Sequence, residues 1–206
     1  MDARVVLSIA LSVLGAHPAL ASAHSIPSSA IGAPPIPSAY QAAALASGIP
    51  SQLLWAVALQ ESGRYRRSRL VPWPWTLNIA GVSARFATRA QACRALHRAL
   101  QRTSPRRIDV GLMQVNWGYH HDLVRSPCEL LDPYRNLTVA SRLLCELHQE
   151  GESWLATAAH YHRPAGGGEA TRYAESLQRR LLSLKANAQR TSLAARPLTT
   201  VGGLGR

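Results

Sequence analysis

Pro50-Ser51-Gln52-Leu53-Leu54-Trp55-Ala56-Val57-Ala58-Leu59-Gln60-Glu61 is the stretch that decides the fold. Leu53, Val57 and Glu61, and also Leu54, Ala58 and Glu61, fall on rows of helical spacing. Pro50 stands at a first-turn position and Gly63 just past the end, so the spacing predicts a core helix closed by glycine. Working outward, residues 86–101 return to the same period through Ala90, Cys93, Leu96, His97 and Leu100. Asp132-Pro133 supplies an N-cap and a first-turn proline for a helix to about Gln149, with Leu137, Ala140, Leu144 and Leu147 on one face. Residues 152–161 read as a shorter helix. A longer one follows at about 168–185, where Tyr173, Leu177, Leu181 and Leu184 are in register. Val71 to Gly81 carries Pro72 and Pro74, which exclude a central strand and leave an irregular hairpin or loop with two tryptophans. The fold class expected is mainly α, with six or so helices and one irregular loop or hairpin region.

The ends read differently. Arg4, the apolar run Val5 to Leu14, the breakers Gly15 and Pro18 and the small-residue pattern Ala21-Ser22-Ala23 follow the order of a cleavable secretory signal over residues 1–23. Residues 24–38 hold four prolines and read as an extended lead-in, residues 39–185 as the folded domain. Residues 186–206 lose periodicity and are expected to form a disordered basic tail. No later stretch approaches the ~18 apolar residues of a membrane span, so no integral membrane segment is expected after signal cleavage. Hydrophobic residues make up 47% of the 206 and charged ones 17%, which argues for one domain with a core rather than a disordered chain.

The formal charge of +12, almost all from arginine, asks for acidic partners. Export makes nucleic acid a poor choice and points to cell-wall polymer or an anionic membrane surface, in a periplasmic location. Export also permits one disulfide among Cys93, Cys128 and Cys145 with one thiol left over, and the spacing does not choose the pair. It contains no C-x-x-C and no H-E-x-x-H, so His120-His121 and His160-x-His162 read as exposed or core-edge histidines rather than metal ligands.

Candidate chemistry starts from the acidic residues. Between Asp2 and Asp109 the only one is Glu61, on the apolar stripe of its helix and at the helix C-terminus. Burial and the helix dipole both disfavour a charged carboxylate there, which suits a general acid. The alternative is a surface glutamate paired with Arg64, Arg66 or Arg67. A second constellation, Asp109-Val110-Gly111-Leu112-Met113-Gln114-Val115-Asn116, reads as a glycine-initiated turn, in which an ordinary loop would bury Met113 and solvate Gln114. Trp73 and Trp75 either stack on sugar rings or cover apolar surface.

Gln60-Glu61-Ser62-Gly63, then Gly111-Leu112-Met113-Gln114-Val115-Asn116, Leu131-Asp132-Pro133-Tyr134-Arg135-Asn136-Leu137 and Ala158-Ala159-His160-Tyr161, together resemble the catalytic domain of soluble lytic transglycosylases. The resemblance spans about residues 40–185. It implies a lysozyme-like fold that cleaves peptidoglycan glycan strands without metal or organic cofactor. The short form with the Trp-Pro-Trp-Thr-Leu-Asn loop is similar to the subgroup that accompanies conjugation and secretion machinery, acting as a monomer. By position the resemblance makes Glu61 the acid/base and Ser62 its companion. Gly111, Met113 and Gln114 line the groove floor, with Asn116 beside them. Tyr161 brings its hydroxyl near the glutamate, and Tyr173 is a further groove tyrosine or a core residue. Trp73 is expected to meet substrate. The sequence departs from the family's A-x-Y-N-x-G block, because His162-Arg163-Pro164 replaces Asn-x-Gly. Two alternatives from other classes stand beside this reading. One is a lysozyme-type hydrolase needing a second carboxylate, Asp109 or Glu146. The other is a non-catalytic basic wall-binding protein.

Overall fold

The computed structural model describes residues 35–194. The expected signal at 1–23, most of the lead-in and residues 195–206 lie outside the described residues. Helix α1 (Ser38–Ser47) begins one residue before the expected domain start and ends at Gly48, whose left-handed backbone (φ 73°) lets its N–H reach the Ala44 carbonyl at 2.8 Å. Helix α2 (Ser51–Ser62) is the helix expected at 50–61. Leu53 through Leu59 are all buried, so α2 has no solvent stripe in that span. A helix apolar all round must be covered all round. Here α1 and α7 (Gly167–Ala194) pack against α2, together with the strand Arg69–Pro72.

Glycine closes α2 for a different reason from the one expected. Gly63 is not left-handed (φ −53°); a Cβ there would lie 2.2 Å from the Leu59 carbonyl oxygen, and the chain turns at once into β1 (Gly63–Arg66). β1 pairs antiparallel with β2 (Arg69–Pro72) through a turn at Arg67 and Ser68, both at positive φ. A second hairpin follows, β3 (Thr76–Ile79) with β4 (Val82–Arg85), turning at Ala80 and Gly81, again at positive φ. Positive φ at both turn residues gives the backbone twist that matches paired strands. β3 also pairs with β5 (Ile108–Val110), which pairs with β6 (Val115–Asn116), making a sheet of order β4-β3-β5-β6. The irregular region is therefore ordered strand, and β3, inside the stretch read as excluding a central strand, has a partner on each side. Pro72 ends β2 and Pro74 lies between strands, so neither removes a hydrogen bond from the four-stranded ladder.

Helix α3 (Arg89–Leu100) starts where the Thr88 hydroxyl accepts the Gln91 N–H. The short α4 (Trp117–His120) is capped by Asn116. In α5 (Pro133–Leu147) the expected cap is present: the Asp132 carboxylate accepts the N–H groups of Tyr134 and Arg135. Ser153 caps α6 (Trp154–His162). Helix α7 corrects the tail reading, because residues 186–194, expected to be disordered, continue the helix to Ala194. Its nucleus is fixed by the buried Tyr173 and Leu177, and propagation then needs only good helix formers such as Ala186, Ala188, Gln189 and Arg190, not an apolar stripe.

The core gathers Leu54 and Val57 of α2, Leu77 of β3, Leu96 of α3, Met113, Leu144 of α5 and Leu177 of α7. Cys93 and Cys128 form the disulfide, joining α3 to the 3-10 turn Pro127–Leu131, and Cys145 is the exposed free thiol. Among the described residues no single helix is long and apolar enough to cross a membrane.

Candidate active site

The last turn of α2 delivers Glu61 to a cavity of about 490 Å³. Its walls include Asn78, Asp109, Gln114, Asn116, Tyr161 and His162, with Leu143 and Glu146 of α5. The Glu61 side chain is 12% exposed, enough for the carboxyl to meet a ligand while most of it is held by protein. The Tyr173 hydroxyl donates to Glu61 Oε1 at 2.7 Å, and His162 Nδ1 lies 3.5 Å from the same oxygen. The rings of His162 and Tyr173 stack at 4.1 Å, 10° from parallel. The arginines weighed as surface partners are engaged elsewhere: the Arg64 and Arg66 guanidiniums lie over the Trp73 ring at 4.3 and 5.6 Å, and Arg67 forms the β1–β2 turn.

The turn facing Glu61 is fixed by close approach. Gly111 has φ 85°, and a Cβ there would lie 2.3 Å from the Leu130 carbonyl oxygen and 2.4 Å from Asn136 Nδ2. Fully buried Asn136 occupies that space: it accepts the Met113 N–H at 2.7 Å and donates to the carbonyls of Val110 and Leu130 at 2.8 and 2.9 Å. Asn136 is thus a structural residue of α5. Gln114 is left-handed without being glycine (φ 51°), and its amide donates to the Gly111 carbonyl at 2.7 Å. Ser62 has no exposed surface. Its hydroxyl reaches the Leu112 carbonyl at 2.6 Å and accepts the Trp73 N–H, pinning α2, the 111–114 turn and the chain after β2 to one point.

Asp109 on β5 faces the same cavity. One of its oxygens accepts from Asn116 at 2.7 Å and the other from Asn78 at 3.1 Å, yet burial pushes its carboxyl above the usual range. Burial also pushes the Tyr161 and Tyr173 hydroxyls well up. His162 is held above the ordinary imidazole value by its hydrogen bond to Glu61, against the opposing effect of burial.

Of the residues expected at the site, Gln114, Asn116 and Tyr161 line the cavity with Glu61. The two tyrosines exchange roles relative to the expectation. Tyr161 donates to the Met113 carbonyl at 2.9 Å, while Tyr173, undecided between groove and core, is 6% exposed and binds Glu61 itself. Four expected substrate contacts are corrected. Ser62 and Met113 are fully buried, and Gly111 acts through the space it leaves for Asn136. Trp73 donates its indole N–H to the Phe86 carbonyl, meets Trp75 edge-on and is covered by Arg64, so its ring is already occupied. Asn78 and His162 were missed as site residues. Asn78 gives no signal in a four-residue strand; His162 gave one, as the departure from the family's Tyr-Asn block.

No curated protein and no solved structure matched the chain. A family model, the transglycosylase SLT domain, matches residues 38–181, from the first residue of α1 well into α7. That match covers every element that builds the cavity, and the turn, cap and carboxyl found there are the blocks that carried the resemblance. The chain belongs to the transglycosylase SLT domain family and is a peptidoglycan lytic transglycosylase.

Proposed function

We propose that the protein is exported to the periplasm and cleaves the β-1,4 bond between N-acetylmuramic acid and N-acetylglucosamine with formation of a 1,6-anhydro ring, opening the wall locally for a conjugation or secretion apparatus. The observation that carries the chemistry is the mostly buried carboxyl of Glu61, held by Tyr173 at the wall of the cavity. Protonated Glu61 gives its proton to the glycosidic oxygen as the C1–O bond breaks. The substrate's acetamido oxygen supports the cation at C1. Glu61, now a base, takes the proton of the muramoyl C6 hydroxyl as that oxygen bonds to C1. No water is consumed, and Glu61 ends as it began. Gln114 has its amide oxygen at the cavity wall to bind the sugar, and its contribution is positioning, while the amide of Asn116 is taken up by Asp109, Arg106 and the first N–H groups of α4. The disulfide Cys93–Cys128 and the arginine-rich surface support the export reading, since disulfides persist in oxidising compartments and arginine suits an acidic polymer.

Lysozyme-type hydrolysis has one observation in its favour: Asp109 faces the same cavity. Against it, both Asp109 oxygens already accept hydrogen bonds, from Asn116 and Asn78. Digestion in oxygen-18 water separates the two. The expected products are non-reducible muropeptides with 1,6-anhydro ends and no heavy oxygen. Reducible ends carrying the heavy isotope as the main product overturn the intramolecular route. Glu61→Gln keeps the shape and removes the proton; it is expected to abolish clearing of peptidoglycan in a zymogram while leaving the melting temperature nearly unchanged.

A further inference from the structure

His162 stands where the family block has asparagine, and its position is the most specific feature of this cavity that the proposed reaction does not use. Its ring is held on one side, while 42% of the side chain stays exposed. Tyr173 stacks on one face at 4.1 Å, and Nδ1 is 3.5 Å from the Glu61 oxygen that also accepts the Tyr173 hydroxyl. Other groups bear on it from each packed element. Asp109 of β5 and Glu169 of α7 raise its proton affinity along with Glu61, while Glu169 is itself paired with Arg163 at 2.7 Å. Tyr161, the residue before it, is neutral throughout the ordinary range because burial pushes its hydroxyl well up. The carboxylates around the ring thus favour a bound proton, and the nearest of them is Glu61.

We infer that His162 is a positioning residue for Glu61, holding jointly with it the proton that Glu61 gives to the glycosidic oxygen. The pair has two forms with the same proton count: ionised Glu61 beside imidazolium, and protonated Glu61 beside neutral imidazole. When the glycan fills the cavity and expels water, the ion pair loses more solvation than the neutral pair, so the proton moves from His162 Nδ1 to Glu61. Glu61 then passes it to the leaving oxygen and recovers a proton from the C6 hydroxyl; when product leaves and water returns, that proton goes back from Glu61 to His162 Nδ1, and the pair ends as it began. The consequence is that the enzyme loses its usable proton at the pH where the pair loses it, which is above the ordinary imidazole value. An asparagine at 162 can accept and donate a hydrogen bond but cannot store a proton.

The inference rests on Glu61 being the acid and base, and the tests separate the two. The relative activity of His162→Asn and of His162→Gln is measured against wild type on peptidoglycan from about pH 5 to about pH 9, with circular dichroism to confirm folding. The alkaline limb of both variants is expected to move down by about one pH unit, so that their loss is about tenfold greater at the alkaline end than at the acid end. An equal loss at every pH overturns the inference, because packing alone has no pH dependence. The second test needs no activity. The His162 ring proton, assigned by its absence in His162→Asn, is titrated by NMR in wild type and in Glu61→Gln. Its midpoint is expected to fall in Glu61→Gln, and an unchanged midpoint overturns the shared proton. Should Glu61→Gln still clear peptidoglycan, the acid/base assignment fails on its own, whatever the midpoint does.

Discussion

Asn136 joins three main-chain groups of two segments with one buried amide, and it does so in the space left by Gly111. Asn136→Ala leaves a buried N–H and two carbonyls short of partners, and is expected to destabilise the protein by about 2–4 kcal/mol in denaturant unfolding. Tyr173 belongs to the same scale. Tyr173→Phe keeps the packing and the stack on His162 but removes the hydroxyl from Glu61; the expected outcome is a loss of roughly tenfold or more in kcat with little change in melting temperature. These two residues show what could be read in the sequence and what could not. Glu61 was legible because it is the lone acid of a long stretch. Tyr173 was not, since helical register with Leu177 is the same whether a side chain ends in the core or at a carboxyl, and this one does both. Ser62 and Met113 carried the family pattern yet lie under the cavity, because a motif records which residues build a turn as well as which ones touch a ligand.

Helices α2, α3, α5, α6 and α7 were legible; α1, the one-turn α4 and the strands were not. The first five have periodic apolar residues or a chemical cap such as Asp132-Pro133, whereas strands of two to four residues are too short to show alternation. The hairpin turns use arginine, serine and alanine at positive φ alongside one glycine, so the usual turn residues gave little warning. The disulfide is the other long-range feature that spacing left open. It closes a separation of 35 residues between α3 and the turn before α5. Replacing both Cys93 and Cys128 by serine is expected to lower stability by roughly 3–4 kcal/mol on the chain-entropy account, with clearing activity retained below the new melting temperature because the bond lies outside the cavity walls. Calorimetry on the double variant beside wild type checks both the size and the sign.

For the molecule as a whole the leading variable is proton and charge balance. Between Glu61 and Asp109 there is no acidic residue, while arginine recurs at positions 64, 66, 67, 69, 85, 89 and beyond. Adhesion to intact sacculi is therefore expected to weaken as salt rises past the physiological range, more steeply than cleavage of short soluble muropeptides does; a pelleting assay across a salt series measures the difference. Stability has its own pH dependence. His162 binds its proton more tightly when folded, so its contribution is complete below pH 6.5 and is lost as pH rises through the higher folded value. Asp109, raised by burial, acts in the same sense but at lower pH, beginning near 3.8. His120 is lowered chiefly by burial, so its contribution grows with rising pH and is complete above 6.5. The melting temperature is accordingly expected to fall as pH goes from about 6.5 to about 8.5, and to fall less in His162→Asn, as read by calorimetry in matched buffers.

The left-handed backbone at Gln114 gives this enzyme a built-in conflict under selection. Glycine is the residue that fits such a φ without strain, yet glycine has no amide to offer the cavity. In a saturation library at this one codon, sorting for expression yield and sorting for halo formation on wall-containing agar would pull in opposite directions: the first enriches glycine, the second keeps glutamine.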